Sequence, residues 1–433
     1  MKIAYLIPGC SVSGGIAVVC QHVNRLQERG HEVLLVSESD ERLINWFPDQ
    51  NVDIVGLQDF PAGLDVLVAT SWSTSFRVAI LPARHKFYFV QSDETRFHPD
   101  GSVWQHLTRL SYAMGFHYLT EARWIQKWLR DGFGHKAALI PNGLDDRLFY
   151  PSEPLVAKGT RPRILLEGAI GLAYKGMHEA FEAVRDLDVE VWCVSALGKP
   201  KAGWRCDRFF EQVPMTEMRR IYSSCDILLK LSRVEGFFGP PMEMMACGGC
   251  VVVGKVTGYD EYIVDEVNAL VVDPLQPAQA SAAIRRIIED ESLRQRLVEN
   301  GRETAAQWRW DPSIDALERY FSEVVSGARS QLDNSAKAEL GVSVAYFYQS
   351  LMGIDLARSF RLANSASAGS DASSAGSNRG ARYASDGSEA LMLEFGATDK
   401  LLSWLRRKTL FRKFAVVGWR VHQMARQIWQ RFA

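Results

Sequence analysis

The stretch VEGFFGPPMEMMACGGCVVV, Val234 to Val253, places two glutamates, Glu235 and Glu243, on either side of a bend rich in glycine and proline. Upstream of it, DILLKLS (Asp226 to Ser232) is an apolar run of strand type. Gly236 to Pro241 interrupt that run, MEMMAC favours a helix, and CVVVGKV returns to a strand. A strand, loop, helix, strand unit belongs to a parallel sheet with helices on its faces. In such sheets ligands gather at the carboxyl ends of strands, which is where Glu235 falls.

The same alternation runs outward through most of the chain. KIAYLI, HEVLLVS, VDIVGL, DVLVAT, KFYFVQ, FHYLT and AALIPNG read as strands, separated by helical segments such as Ile16 to Arg29 and Glu121 to Arg130. After IPNGLDDRLFYP the pattern restarts with RILLEGA, VEVWCVSA, CDRFFEQV, DILLKLS, CVVVGKV and ALVV, and it closes on the helical DPSIDALERYFSEVV. The fold class is therefore α/β, with two tandem Rossmann-like domains predicted over residues 1–145 and 146–326. Tandem units leave a cleft between their sheets, a favoured place for a ligand.

With 433 residues, 47% of them apolar and 23% charged, the chain can build both cores and carry something extra. A net charge of -1 argues against nucleic acid as a partner, because phosphate-binding domains carry a basic excess. Seven cysteines (10, 20, 193, 206, 225, 247 and 250) are scattered through strand and helix patterns, and the odd count suits reduced thiols in a cytoplasmic protein. Cys247 and Cys250 form a C-x-x-C without a second pair for zinc, and they read as small core residues. The first apolar run ends at Pro8, too short for a signal peptide. No window reaches the roughly eighteen apolar residues of a membrane-spanning helix.

Past residue 326 the character changes. Residues 327–362 read as a helical extension, and residues 363–390, made of serine, alanine and glycine with few bulky side chains, read as a flexible linker. Residues 391–433 are predicted to form a basic amphipathic helix. From Lys400 onward there are nine basic residues and no acidic one. At about 100° per residue, Leu410, Phe411, Phe414, Val417, Val421, Met424, Ile428, Trp429 and Phe432 share one face, opposite Arg412, Lys413, Arg420, Arg426 and Arg431. Val416 and Trp419 break the pattern. An anionic membrane surface suits residues 400–433, each basic residue contributing about 1 kcal/mol. The competing readings are docking on the protein itself or on an acidic partner.

Taken together, several motifs resemble the family four glycosyltransferases of GT-B architecture. They are Gly14 and Gly15 after the first strand, RGHEVLLVS, the linker IPNGLD, the YKG of Tyr174 to Gly176, and the Glu-x7-Glu of Glu235 and Glu243 followed by MMACGGCVVV. The likeness spans about residues 1–326. It implies a retaining, metal-independent enzyme without a cofactor, which takes a nucleotide-diphosphate sugar as substrate and glycosylates a lipid-linked or polysaccharide acceptor. The donor is expected on the second domain and the acceptor on the first.

The resemblance and the chemistry of the residues give roles to named positions. Glu235 is expected to accept hydrogen bonds from the donor sugar and Glu243 from the nucleotide ribose, because ionised acceptors hold hydroxyls strongly. Lys175 is the expected cation for the leaving diphosphate. The backbone amides of Gly236, Phe237, Phe238 and Gly239, ahead of a helix, suit an anionic or hydroxyl ligand. By the resemblance, the loop of Gly14 and Gly15 is expected to approach the donor diphosphate and the acceptor from across the cleft. The chain departs from the family in two places. Ile170 stands where an arginine is common, leaving Arg233 as a candidate replacement. Gln91, Asp93 and Glu94 stand where a histidine is common, and are expected on the acceptor side. His22, His98 and His117 are weaker candidates there, since a lone histidine is more often structural. Two other classes fit the same motifs: a nucleotide-sugar epimerase or phosphorylase, revealed by turnover without an acceptor, and a catalytically silent sugar-nucleotide-binding tether.

Overall fold

The computed structural model describes residues 1–327 together with Val344, Ala345 and Tyr348. The expected linker and basic helix lie outside the described residues, as does nearly all of the helical extension. The described residues all fall within one compact unit.

Every strand expected from the sequence is present. The first sheet comprises β1 (Lys2–Ile7), β2 (Glu32–Ser37), β3 (Ile54–Gly56), β4 (Val66–Ala69), β5 (His85–Val90), β6 (His117–Thr120) and β7 (Ala138–Leu139). The second comprises β8 (Arg163–Glu167), β9 (Glu190–Ser195), β10 (Arg208–Glu211), β11 (Ile227–Lys230), β12 (Cys250–Gly254) and β13 (Leu270–Val272). All pairings are parallel, in the orders β3-β2-β1-β4-β5-β6-β7 and β10-β9-β8-β11-β12-β13. Parallel strands are covered on both faces and so read as continuous apolar runs. In β1, Ile3 to Ile7 are fully buried.

The helices are α1 (Gly14–Glu28), α2 (Trp72–Ile80), α3 (Val103–Ser111), α4 (Arg123–Phe133), α5 (Met177–Val184), α6 (Met215–Ser224), α7 (Gly239–Ala246), α8 (Pro277–Glu289), α9 (Glu291–Gln307) and α10 (Trp310–Val325). Local signals set their ends. Ser13 caps α1 by accepting from the Ile16 amide, and Ser71 with Thr74 forms a reciprocal capping box on α2. The prolines of α7 occupy its first turn, where a missing N–H costs nothing. Helix α4 begins two residues later than the sequence predicts, because Glu121 is drawn into a buried contact described below.

The sequence assigns α10 to the second domain, and its packing corrects this. Trp310, Ile314, Leu317, Tyr320, Phe321 and Val324 join Ile3, Tyr5, Phe87 and Phe89 in a core of the first half. The chain therefore crosses between halves twice, once at residues 140–150 and once at 308–310. The two crossings are bonded to each other, the Leu144 amide donating to the Trp308 carbonyl at 2.8 Å. The first crossing is also pinned to α1. Asp145, buried, accepts from Gln21 and Arg25 at 3.1 Å each. The second half keeps its own apolar clusters, and Cys247 and Cys250 lie within them as buried free thiols.

Candidate active site

In each sheet the strand order reverses once, and there the flanking loops diverge to leave a crevice. In the second sheet that point lies between β8 and β11. The loop after β8 carries Lys175, and the loop after β11 carries Glu235. Lys175 ends a short 3-10 turn that closes on Gly176, whose φ of 64° is left-handed. A Cβ at Gly176 would also overlap the Leu231 carbonyl, so only glycine lets the two loops meet.

The two residues expected to do chemistry are in direct contact. Lys175 Nζ donates to both carboxylate oxygens of Glu235, at 2.8 and 2.9 Å. Beneath them Lys230, the last residue of β11, has only 3% of its side chain exposed. Its ammonium donates to the carboxylate of Glu167 and to that residue's carbonyl at 3.3 Å, and it lies 3.8 Å from Glu235 Oε1. Burial pushes the Glu235 carboxyl up, but Lys175 and Lys230 outweigh it, and the group stays below the usual range. Burial likewise works against the charge on Lys230, and Glu167 and Glu235 more than offset it. The sequence reading missed this pair. Its signal was a charged residue inside each of two apolar strands, DILLKLS and RILLEGA, since buried charges are retained only when paired.

Glu243 lies on α7, where its Oε2 accepts from the Tyr222 hydroxyl at 2.8 Å. Burial moves its carboxyl up to about 7. Of the four loop amides expected to face a ligand, two are engaged within the protein. Phe237 N–H donates to Glu121 Oε1 at 2.9 Å and Gly239 N–H to the Phe237 carbonyl at 3.1 Å. That corrects the expectation for these two. The Phe237 ring packs on Tyr262 and Trp308, and Phe238 is buried beside Lys230. Arg233 does not replace the missing arginine in this geometry. Its guanidinium is held by Glu179 at 2.8 Å and by the Ala173 carbonyl.

Across the crevice, Gln91 follows β5 and sits between Gly15 and Gly236. A Cβ at Gly15 would lie 3.1 Å from Gln91 Oε1, and one at Gly236 would overlap the Gln91 carbonyl oxygen. Gln91 Nε2 donates to the Thr70 carbonyl at 3.1 Å, while Oε1 has no hydrogen-bond partner among the described residues. Gly14 opens α1 on this side. Asp93 turns back to cap its own loop, accepting from Thr95.

Glu94 is misplaced by the sequence reading. Its carboxylate accepts from Trp72 N–H at 2.8 Å, Tyr88 at 2.9 Å and Tyr112 at 3.2 Å, all within the first half. It anchors the start of α2 in the core and does not face the acceptor side. Burial pushes it up to about 7. The histidines are also structural. His22 is buried against Tyr5, Phe89 and Trp310, His98 packs on Trp72, and His117 lies over Phe87.

Several first-half residues grip the second half. Glu121, directly after β6 and buried, takes the Phe237 amide on one oxygen and Asn142 on the other at 2.8 Å. Burial, with Glu235 nearby, pushes its carboxyl up to about 8. Trp124 donates from its ring to the Gly236 carbonyl at 2.8 Å and from its amide to Glu261 at 3.0 Å. Arg96 donates to the Arg233 carbonyl at 2.8 Å, and Phe97 stacks on Tyr174. The halves meet closed around the Lys175–Glu235 pair.

Residues 208–304 match the family of glycosyl transferases, group 1. The group 1 region includes Lys230, Glu235 and Glu243, while Lys175 lies before it. The chain is similar to the O-antigen biosynthesis protein RfbC of Myxococcus xanthus, with 24% identity over 283 residues, 63% of this chain and 22% of that protein. It is also similar to a D-inositol 3-phosphate glycosyltransferase of Xylanimonas cellulosilytica, with 27% identity over 206 residues, 41% of this chain and 49% of that protein. The matches thus span half or less of these relatives' own length. Among solved structures, Anabaena HepE in complex with UDP-glucose superposes with a TM-score of 0.61 and 17% identity, over 76% of this chain and 100% of that one. The architecture is GT-B, two parallel-sheet Rossmann-like halves, and the second half carries the group 1 region.

Proposed function

We propose that this chain transfers a sugar, with retention and without a metal, from a nucleotide-diphosphate sugar to a glycan or lipid-linked acceptor. The observation that carries this reading is the Lys175–Glu235 pair at the strand-order reversal of the second sheet, on a loop whose next residue, Gly236, abuts Gln91 of the first. A fixed ammonium meets the charge that develops on a leaving diphosphate without reorganisation. Glu235 accepts from the sugar hydroxyls and Glu243 from the ribose. Gln91 Oε1, buried beside Gly15 and unpartnered among the described residues, is an acceptor for a hydroxyl that enters as the loop of Gly14 and Gly15 shifts. In the step itself the bond from the anomeric carbon to the phosphate oxygen breaks, and the acceptor oxygen bonds on the same face. Its proton passes to the departing phosphate. Closure of the halves excludes water from that step. The relatives support the direction, RfbC being described as an O-antigen biosynthesis protein and HepE having been solved with UDP-glucose.

A thermal-shift series with UDP, GDP, dTDP and ADP tests this. A diphosphate at about 100 times its dissociation constant adds about 2.7 kcal/mol, so one of the four raises the melting temperature by several degrees. No shift with any of them removes the reading. The basic, aromatic-rich sequence of residues 400–433 supports work on the cytoplasmic side of an anionic membrane. The full chain is then expected to sediment with phosphatidylglycerol vesicles and not with phosphatidylcholine vesicles, and a chain ending at residue 399 with neither. Equal sedimentation of the two chains overturns the membrane assignment.

A further inference from the structure

We propose that Lys230 is a positioning residue that takes over Glu235 when Lys175 turns to the leaving diphosphate. The inference rests on the reading above and goes beyond it, since it gives a role to a buried lysine which that reading leaves unused.

The difficulty it resolves is visible in the geometry. Lys175 spends both short contacts on Glu235, at 2.8 and 2.9 Å. A diphosphate that recruits this ammonium withdraws it from Glu235. The Glu235 side chain is only 11% exposed, and it would then face new negative charge. A buried carboxylate that loses its partner is strongly penalised and takes up a proton instead. The same neighbourhood shows the direction of that effect in two buried carboxyls that form no ion pair among the described residues. Glu121 is pushed up to about 8 and Glu243 to about 7, in each case chiefly by burial. A protonated Glu235 would lose the acceptor strength that holding a sugar hydroxyl requires.

Lys230 is placed to prevent this. Its Nζ is 3.8 Å from Glu235 Oε1, one small side-chain rotation from a direct bond, and it is fixed from below by Glu167. Among the described residues, the other ionisable groups facing Glu235 are Tyr174, Tyr262 and Glu121, none of them a cation. Two lysines and one carboxylate thus form a hand-over. Lys175 holds Glu235 in the arrangement described, and Lys230 holds it once a diphosphate engages Lys175.

The test measures protons rather than turnover. Whichever of UDP, GDP, dTDP and ADP binds the wild-type chain is titrated calorimetrically near neutral pH in HEPES and in Tris, and the difference in heat counts protons taken up. Wild type is expected to show no uptake at Glu235. The double variant Glu167→Gln/Lys230→Met, which removes the buried pair together, is expected to take up about one additional proton. Its affinity should tighten by up to about tenfold for each pH unit lowered. Adding Glu235→Gln to that variant abolishes the extra proton, and Lys230→Arg alone behaves as wild type. Should the double variant not fold, Lys230→Gln, which keeps a donor for Glu167, is expected to show the same extra proton. Equal proton counts in wild type and in the folded variant overturn the hand-over while leaving the proposed function standing. Absence of binding by wild type to all four nucleotides removes both.

Discussion

Replacing Gly236 with alanine is expected to lower transfer by about 10²-fold or more while nucleotide affinity stays within a few-fold of wild type. A Cβ at this position would overlap the Gln91 carbonyl oxygen and lie 2.7 Å from Glu121 Oε1. The obstructing carbonyl is backbone, so no rotamer change relieves the overlap, and the loop must draw back from the first half. That withdrawal also breaks the bonds from Trp124 to the Gly236 carbonyl and from Phe237 to Glu121. Lys175, Glu235 and Glu243 all belong to the second half and withdraw with the loop as one body, which is why binding is expected to survive. Reaction needs the halves together to exclude water and bring the acceptor to the donor. Initial rates beside a nucleotide titration, with the melting temperature as a control for folding, separate the two effects. A Gly236→Ala enzyme of undiminished rate would show that the closed arrangement is not the working one.

Lys175→Met is expected to lower kcat by about 10²- to 10³-fold, the range found when a fixed group that stabilises developing charge is removed. Nucleotide-diphosphate affinity should fall as well. The change removes the cation proposed to meet the phosphates, and Glu235 is left with Lys230 at 3.8 Å as its remaining counter-charge. Lys175→Arg, which keeps the charge on a bulkier head, is expected to recover part of the rate. The telling comparison is between nucleotides. A nucleoside without phosphates should bind wild type and Lys175→Met equally, whereas its diphosphate should distinguish them. If the diphosphate binds both proteins alike, Lys175 does not contact the phosphates.

Strands were legible from sequence because parallel strands are apolar on both faces and need no fine phase to be seen. KIAYLI and CVVVGKV mark themselves. The placement of α10 was not legible in the same way. Its apolar stripe reports that one face is covered, and says nothing about which sheet covers it. Glu235 and Lys175 were legible through their loops, and the structure brings them into contact. Glu94 was not, since nothing in QSDETRF distinguishes a carboxylate facing a crevice from one held by Tyr88, Tyr112 and the start of α2. Lys230 and Glu167 were each visible as an anomaly within an apolar run. Their partnership spans 63 positions and becomes evident only when β8 and β11 lie side by side. Glu121 fell outside the reading for a related reason, because its partners, Phe237 and Asn142, come from different halves of the sequence.

The double crossing of the chain restrains how the two halves can move. Two strands of backbone, bonded at Leu144 and Trp308, act like a pair of pins on a door, favouring one swing and resisting torsion about the long axis. They also make the halves inseparable as pieces. A fragment cut at residue 145 would forfeit the helix that seals its own interior, leaving Phe87 and Phe89 without the wall supplied by Trp310, Tyr320 and Phe321.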